Sequence, residues 1–279
     1  MRIKPSAKIV GLTIAGSAAA FLIASAVGKR PPGGQDDADQ AATYPPLDTL
    51  KPVAGNVWIV DSGPIRPGGV ALPVRMTVIR LGNGDLLLHS PTGLTDALAD
   101  QVQTLGPVRH LVAPNIAHWT FLKDWQARFP GALTWASPGL RERRQVRASG
   151  LRLDRDLSER APPEWKAEID QGVIRGAGYS EVYFFHRPSR TLILTDVVQH
   201  MNSDRLPALT HAFVLLSGAH AGTTPRYLRA LLRLRHREAM RAFEAMLGPD
   251  PERVIFAHGA WFERNGAEHL RRALGWLMD

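Results

Sequence analysis

The chain contains no cysteine, which excludes disulfide bonds, thiolate metal ligands and a cysteine nucleophile. Oxidising compartments allow disulfides without requiring them, so this absence does not decide where the protein resides. Aromatic residues make up only 7% of the chain, and its many arginines are not interleaved with them in a nucleic-acid-binding motif. We therefore expect no nucleic-acid partner. The formal charge of +8 suits an anionic membrane surface or an anionic ligand instead.

Long apolar runs are also scarce, and one stands out at Ile9 to Val27. As a helix it is just long enough to cross a hydrocarbon core of about 30 Å. We expect an uncleaved single-pass anchor, because Lys29 and Arg30 follow the run directly. The alternative is secretion after cleavage of a signal peptide near Ala24-Ser25-Ala26. Basic residues are more numerous before the run than after it, which favours a domain facing the periplasm or exterior.

The chain divides into three predicted parts. Residues 1–30 form the anchor or signal segment, residues 31–46, rich in Pro, Gly and Asp, form a flexible linker, and residues 47–279 form one domain whose fold starts near Tyr44 to Leu50. A G-N-G-D turn at Gly82 to Asp85 predicts a hairpin. Further strands are predicted at Asn56–Asp61, Val108–Ala113, Ala132–Ala136, Ile169–Arg175, Glu181–His186, Thr191–Thr195 and Arg253–Ala257. Helices are predicted at Trp119–Phe129, from Pro138 into Arg141–Arg144, twice within Pro207–Leu247, and at Glu263–Met278. This order favours a mixed sheet covered by helices, with parallel crossovers in the middle.

Polar residues at strand ends are the candidates for chemistry, because α/β folds place their sites in those loops. His89, His118, Asp196 and His258 each follow an apolar stretch, and Asn115 lies near His118. Imidazole and carboxylate groups are suitable ligands for zinc or a similar divalent ion. Each residue alone also fits an ordinary packing or hydrogen-bonding role. Their origin in separate parts of the chain is what favours a shared site.

Several stretches resemble the metallo-β-lactamase fold superfamily, whose fold is a four-layer αββα sandwich with metals at the sheet edge. Leu194-Thr195-Asp196 is similar to the strand that ends in its metal-bridging Asp, and Ala257-His258-Gly259 is similar to its late Gly-His-Gly. More closely, the segment from about Tyr44 to Asp279 resembles an uncharacterised, domain-of-unknown-function branch of that superfamily. The stretches that carry this likeness are T-L-K-P-V at 49–53, V-W-I-V-D at 57–61, L-H-S-P at 88–91, G-P-V-R-H-L-V-A-P-N at 106–115 and H-R-P-S-R-T-L-I-L-T-D at 186–196.

The resemblance implies a reduced metal site. Where the superfamily carries His-x-His-x-Asp-His, this chain reads A-P-N-I-A-H-W-T at 113–120, and Arg141 to Arg147 lies where a further histidine ligand is expected. The implied ligands are His118, Asp196 and His258, with His89 as an outside candidate, and Asp196 and His118 are the implied catalytic residues. One ion, zinc for preference, would activate water in a hydrolase of unknown substrate. The alternative is an ion-free, non-catalytic binding or adaptor module in which His118 and Asp196 pair with each other.

An arginine-rich region is the second functional candidate. Between 226 and 241, six arginines alternate with leucines and aromatic residues at helical spacing. Such a helix could lie on anionic lipid, or cover the site and bind an anionic substrate. An ordinary solvated helix face, with Glu238 and Glu244 as partners of the arginines, explains the same pattern.

Overall fold

The computed structural model describes residues 42–202 and 206–278. Within them no helix is long and apolar enough to span a membrane, and the predicted anchor at Ile9 to Val27 lies outside them. Tyr44 is already part of the folded domain, although it falls in the predicted linker. The Lys51 side chain donates to its carbonyl at 2.8 Å, and the Asn202 N–H donates to its hydroxyl at 3.3 Å. The fold therefore begins at or before Tyr44, the first position of the predicted range.

Two sheets form the centre of the domain. The first contains seven strands in chain order, β1 Lys51–Ala54, β2 Val57–Ile65, β3 Leu72–Arg80, β4 Leu86–His89, β5 Val108–Ala113, β6 Leu133–Ala136 and β7 Arg155–Asp156. Its first four strands are antiparallel, and β4 to β7 are parallel. This confirms both the hairpin at Gly82 to Asp85 and the parallel crossovers in the middle. The strand β1 was not predicted from its sequence.

The second sheet has four strands in the order β11–β10–β9–β8. They are β8 Ile169–Gly176, β9 Tyr179–His186, β10 Thr191–Ile193 and β11 Arg253–Ile255. β8, β9 and β10 are antiparallel neighbours, whereas β10 and β11 run parallel. Because β10 and β11 point the same way, the residues that follow them emerge at the same edge of the sheet. Those residues include Asp196 and His258.

Helices cover both outer faces. The first group is α1 Asp96–Leu105, α2 Leu122–Arg128 and α3 Arg144–Ser149; the second is α4 Ala208–Ser217, α5 Arg226–Arg233, α6 His236–Leu247 and α7 Gly266–Leu274. Thr95 caps α1 by accepting from the Leu98 N–H at 3.1 Å. The predicted helix from Pro138 into Arg144 is wrong, because residues 138–142 form turns and the helix starts only at Arg144. The region from Pro207 to Leu247 holds three helices rather than two, since a turn at Leu234 and Arg235 separates α5 from α6.

Three apolar clusters define the layers. One joins α1 and α2 to the seven-stranded sheet, with Leu98 and Trp125 at its centre. A second lies between the two sheets, where Leu87 and Val112 meet Phe184. A third joins the four-stranded sheet to α5, α6 and α7. The molecule is therefore a helix–sheet–sheet–helix sandwich. Central strands such as β4 and β9 are buried at every position, because their sheets pack on both faces.

Candidate functional site

Three polar side chains from separate parts of the chain meet at one edge of the sandwich. His118 follows β5, Asp196 follows β10 and His258 follows β11. The Asp196 Oδ1 atom lies 3.2 Å from His118 Nε2 and 3.0 Å from His258 Nε2. One ligand atom from each residue lies within 4.8 Å of the others. Three of the four sequence-predicted ligands therefore converge, and we call them the His–Asp–His group.

Both ring nitrogens of His258 face oxygen atoms. Nδ1 lies 2.7 Å from the Pro73 carbonyl oxygen, which can only accept a hydrogen bond. Nδ1 must therefore carry a hydrogen, which leaves the Nε2 lone pair for a cation. A second oxygen that fixes the tautomer in this way is typical of metal-ligating histidines.

The turn that carries His258 is held by a buried arginine. Arg75 on β3 donates from Nη1 to the carbonyls of Phe256 at 2.8 Å and Gly259 at 2.7 Å. Its Nη2 atom pairs with Asp61 at 2.6 Å. Gly259 adopts φ 101°, and a Cβ atom there would lie 1.9 Å from the His200 carbonyl oxygen. The turn after β11 therefore requires glycine at position 259 and is held by the Arg75 guanidinium.

His118 is oriented by a serine. Ser90 Oγ lies 2.6 Å from His118 Nδ1. Ser90 directly follows β4 and has a left-handed backbone at φ 56°. This conformation is uncommon outside glycine and is often found at functional sites. Its hydroxyl can accept from Nδ1–H, which leaves Nε2 free for a metal, or donate to a bare Nδ1. The direction of this hydrogen bond therefore reports the state of the site.

Asp196 is fixed at its side chain and at its backbone. Asn115 donates from Nδ2 to Asp196 Oδ2 at 2.7 Å and to Thr195 Oγ1 at 3.0 Å. The Asn115 Oδ1 atom accepts from the N–H groups of Ala117 at 2.8 Å and His118 at 2.9 Å. Asn115 therefore already uses all of its amide hydrogen-bonding capacity in shaping the site, and its oxygen is not directed at the His–Asp–His group.

Glu181 holds the backbone of the same loop. It is fully buried on β9 and accepts from the N–H groups of Thr195 and Asp196 at 2.7 Å each and of Val197 at 3.2 Å. The Tyr179 hydroxyl donates to it at 2.5 Å. A buried carboxylate is stable only when its oxygens are satisfied in this way. Glu181 thus anchors the loop that presents Asp196.

Charge pairing controls ionisation in the group. Burial favours neutral His118, but the adjacent Asp196 carboxylate outweighs burial and raises the pKa of His118. Burial likewise opposes the charged form of Asp196, yet His118 and then His258 hold its pKa well below the usual range. Asp196 is therefore an anion at neutral pH, as a metal ligand must be. Burial raises the pKa of Tyr179 and Tyr227 near the site, so both hydroxyls stay neutral.

His89, the fourth predicted ligand, does not belong to the His–Asp–His group. Its side chain lies between the sheets, with its ring 5.2 Å from the Phe184 ring, because alternate residues of a strand face opposite sides. Burial, with a smaller effect from nearby His118, lowers its pKa to about 3. The site instead uses the next residue, Ser90. Sequence reasoning missed Ser90, Glu181 and Arg75, although a lone acid within the apolar stretch Y-S-E-V-Y-F-F at 179–185 was a usable signal.

The His–Asp–His group suits one divalent ion. It offers two imidazole nitrogens and one carboxylate oxygen, and two of its members have the outer hydrogen bonds that such ligands need. Within residues 42–202 and 206–278 no second group of three potential ligands is found. The donor set is therefore that of a single-ion site with open positions for water or substrate.

A pocket opens directly over the group. Ser90, His118, Asp196 and His258 form part of its wall. The first turn of α5 supplies Tyr227 and Leu228, so the arginine-rich region does border the site. However, of the six arginines only Arg229 is even half-buried, and its guanidinium lies 5.4 Å from the Trp276 ring centre. The arginines therefore lie outside this pocket.

Comparisons with known proteins agree with the geometry. A family model described as a domain of unknown function, DUF4336, matches residues 54–222. A metallo-β-lactamase from Pontibacter korlensis superposes with a TM-score of 0.52 at 13% identity, covering 83% of this chain and 99% of that one. The mono-zinc form of metallo-β-lactamase FIM-1 from Pseudomonas aeruginosa gives 0.52 at 14%, covering 81% and 93%, and DIM-1, studied after exposure to ceftazidime, gives 0.56 at 13%, covering 81% and 95%. No curated protein matches the chain significantly. At these identities the structural likeness establishes the fold alone.

Proposed function

This chain belongs to the DUF4336 family and has the metallo-β-lactamase fold, and we propose that it is a metal-dependent hydrolase with a single ion held by His118, Asp196 and His258. The observation that carries the proposal is the pair of contacts at His258. Its Nδ1 atom must donate to Pro73, and its Nε2 atom faces the Asp196 carboxylate. A cation between these two residues would bind both the His258 Nε2 lone pair and the Asp196 carboxylate oxygen. Zinc is the expected ion, because two imidazoles and one carboxylate are a donor set that zinc prefers.

Each residue of the site would have a separate role in the proposed reaction. His118, Asp196 and His258 would hold the ion, which would supply water with a pKa lowered towards 7 and a Lewis acid for a carbonyl or phosphoryl oxygen. Asp196 keeps one oxygen, Oδ2, on Asn115, so its other oxygen stays directed at the histidines. Ser90 fixes the ring of His118. Glu181 holds the loop after β10 and Arg75 holds the turn after β11, so the His–Asp–His group is in place before substrate binds.

The test is metal-dependent turnover by the full-length protein in detergent. Initial rates on a panel of chromogenic esters, thioesters and phosphodiesters would be measured after loading with zinc, after chelation and after adding zinc back. We expect at least one class to lose activity by about 100-fold on chelation and to recover with zinc. His258→Ala should remove that activity, whereas His236→Ala, an exposed histidine on α6, should not. Zinc-loaded protein that hydrolyses no class would favour the non-catalytic binding module instead.

A second candidate function rests on Ser90. Ser90 Oγ, the His118 ring and Asp196 Oδ1 form a hydrogen-bonded series at 2.6 and 3.2 Å that lies on the pocket wall. Hydroxyl, imidazole and carboxylate in this order are the constellation of a serine nucleophile with its base. The left-handed backbone at Ser90 also matches the strained turn that carries such nucleophiles. Ser90 would then attack an acyl carbon without a metal, while His118 takes the Ser90 proton and passes it to the departing alcohol or amine; water would later release the acyl group from Ser90.

Chelation and covalent labelling separate the two candidates. A serine nucleophile should react with a fluorophosphonate probe in chelated protein, and Ser90→Ala should abolish labelling. If Ser90 only orients His118, the probe should not react, and Ser90→Ala should weaken zinc binding by roughly 10-fold. Labelling that survives in Ser90→Ala would contradict the nucleophile role.

The proposed location is a membrane surface, with residues 9–27 as the anchor. Helix α4 supports this, because its Leu209 and Leu216 side chains are 55% and 74% exposed and lie two turns apart on one face. Beside them, exposed Arg226 donates to the Leu216 carbonyl at 3.0 Å. Exposed leucines next to arginines suit an anionic lipid interface. The N-terminal half of the arginine-rich region would thus serve lipid contact rather than substrate binding.

A further inference from the structure

The pocket over the His–Asp–His group has a mostly apolar wall. Its wall is formed mainly by hydrocarbon and aromatic groups, namely Ile65, Pro67, Leu72, Val74, Ile116 and Phe121. The cavity volume is about 90 Å³. Such a surface favours an apolar part of a ligand, because binding removes hydrocarbon surface from water.

Charged side chains are scarce in the lining of this pocket, although the protein has 34 lysines and arginines. Within residues 42–202 and 206–278, no lysine, arginine or glutamate lines it, and its only carboxylate is Asp196. A ligand whose apolar end carried a carboxylate or ammonium group would lose hydration without gaining an ion-pair partner on the wall. The pocket therefore discriminates against charge at the end remote from the ion.

Tyr227 supplies a directional polar group on the wall. Gln199 donates from Nε2 to the Tyr227 hydroxyl oxygen at 3.2 Å, so the hydroxyl hydrogen is directed to a different acceptor. Burial, with the Asp196 charge, raises the pKa of Tyr227, which keeps that hydrogen in place at any physiological pH. A carbonyl oxygen in the pocket is an acceptor that fits this donor.

We propose that the site takes uncharged acyl compounds, such as esters, lactones or amides, whose hydrocarbon part fills the apolar wall and whose carbonyl oxygen accepts from Tyr227. This rests on the proposed hydrolase function for its reaction, but the binding itself does not need the ion. Tyr227 is then a specificity residue at the junction between the apolar wall and the His–Asp–His group.

The test is ligand binding to metal-free full-length protein, in which hydrolysis is absent. Three amides share one chain length and differ at the far end: octanamide, 8-aminooctanamide and the monoamide of suberic acid. Calorimetry or fluorescence of Trp119, which lines the pocket, reports binding. We expect octanamide to bind at least 10-fold more tightly than either charged analogue. Equal binding of a charged analogue, or no binding of octanamide, would overturn the proposal.

Two variants locate the effect. Tyr227→Phe keeps the ring and removes the hydroxyl, so octanamide should bind several-fold more weakly while octane-1-thiol, which lacks the carbonyl, is unaffected. Phe121→Lys places a cation on the wall and should narrow the gap between octanamide and the suberic monoamide. Trp261→Lys, a half-buried aromatic outside the pocket, is the matched control and should change neither. If neither Tyr227→Phe nor Phe121→Lys changed the relative affinities for octanamide and its analogues, the assignment would be contradicted. This result would not depend on the zinc-dependent rates, which test the hydrolase proposal.

Discussion

The Glu181 Oε2 atom accepts a hydrogen bond from the Asp196 backbone N–H at 2.7 Å. The Glu181 carboxylate on β9 therefore positions the Asp196 carboxylate, on the loop after β10, without touching its side chain. Two more backbone N–H groups and the Tyr179 hydroxyl share the same buried acid. This arrangement ties the stability of the second sheet to the geometry of the site.

Glu181→Gln tests that link. Glutamine replaces one acceptor oxygen by an NH₂ group, which leaves at least one buried donor without a partner. We expect unfolding free energy to fall by about 3 kcal/mol in urea titrations and zinc affinity to fall by about 10-fold. Glu244→Gln, on the exposed face of α6, should change neither. A loss of stability with unaltered zinc affinity would show that Glu181 does not position Asp196.

The ion pair between Arg75 and Asp61 gives a second prediction. Arg75→Met removes one of the two cations that pair with Asp61 and leaves Lys51 as the other, while the Asp61 side chain stays buried at 4% exposure. Because Lys51 remains, we expect a cost below the ~3–5 kcal/mol of leaving a buried charge unpaired, and the turn at His258 also loses two hydrogen bonds. Adding Asp61→Asn should restore part of the unfolding free energy but not zinc binding. If both variants still bound zinc, Arg75 would not be needed to hold the site.

His89 predicts a pH dependence. Its folded pKa is about 3, below the value of about 6.5 expected when unfolded, so the unfolded chain binds the extra proton between these values. Stability is therefore complete above pH 6.5 and falls as the pH drops towards 3, with a slope of up to about 1.4 kcal/mol per pH unit. His89→Phe should flatten this slope by one proton in urea titrations from pH 7 to 4, whereas His236→Ala should not. Equal slopes in wild type and His89→Phe would contradict the assignment.

The absence of cysteine allows a clean test of the proposed lipid contact at α4. A single cysteine at Ala212 on α4 would carry an environment-sensitive dye in the full-length protein reconstituted into vesicles. We expect a blue-shifted emission with anionic lipid that is reduced by salt, because lipid headgroups would cover this face. The same label at Glu244 on α6 is the control. Equal emission in neutral and anionic vesicles at Ala212 would exclude the contact.

Parts of the fold and site were accessible from sequence because their signals are local. The G-N-G-D turn predicted its hairpin, and His118, Asp196 and His258 were found as polar residues at strand ends. His89 does not join the His–Asp–His group, because one position along a strand reverses the direction of a side chain. Ser90 was missed because a left-handed backbone at serine has no sequence signature. Glu181 and Arg75 act through contacts made only after distant strands pair, so neither hairpin patterns nor strand-end rules could reveal them.

The central claim is a single ion held by His118, Asp196 and His258, and zinc stoichiometry tests it most directly. Equilibrium dialysis of the tag-free, full-length protein, followed by elemental analysis, should give one zinc per chain. His258→Ala and Asp196→Ala should each abolish binding, while His89→Phe and His236→Ala should retain it. The account would be contradicted if the wild-type protein bound no zinc at a saturating zinc concentration. It would also be contradicted if His258→Ala bound one zinc per chain.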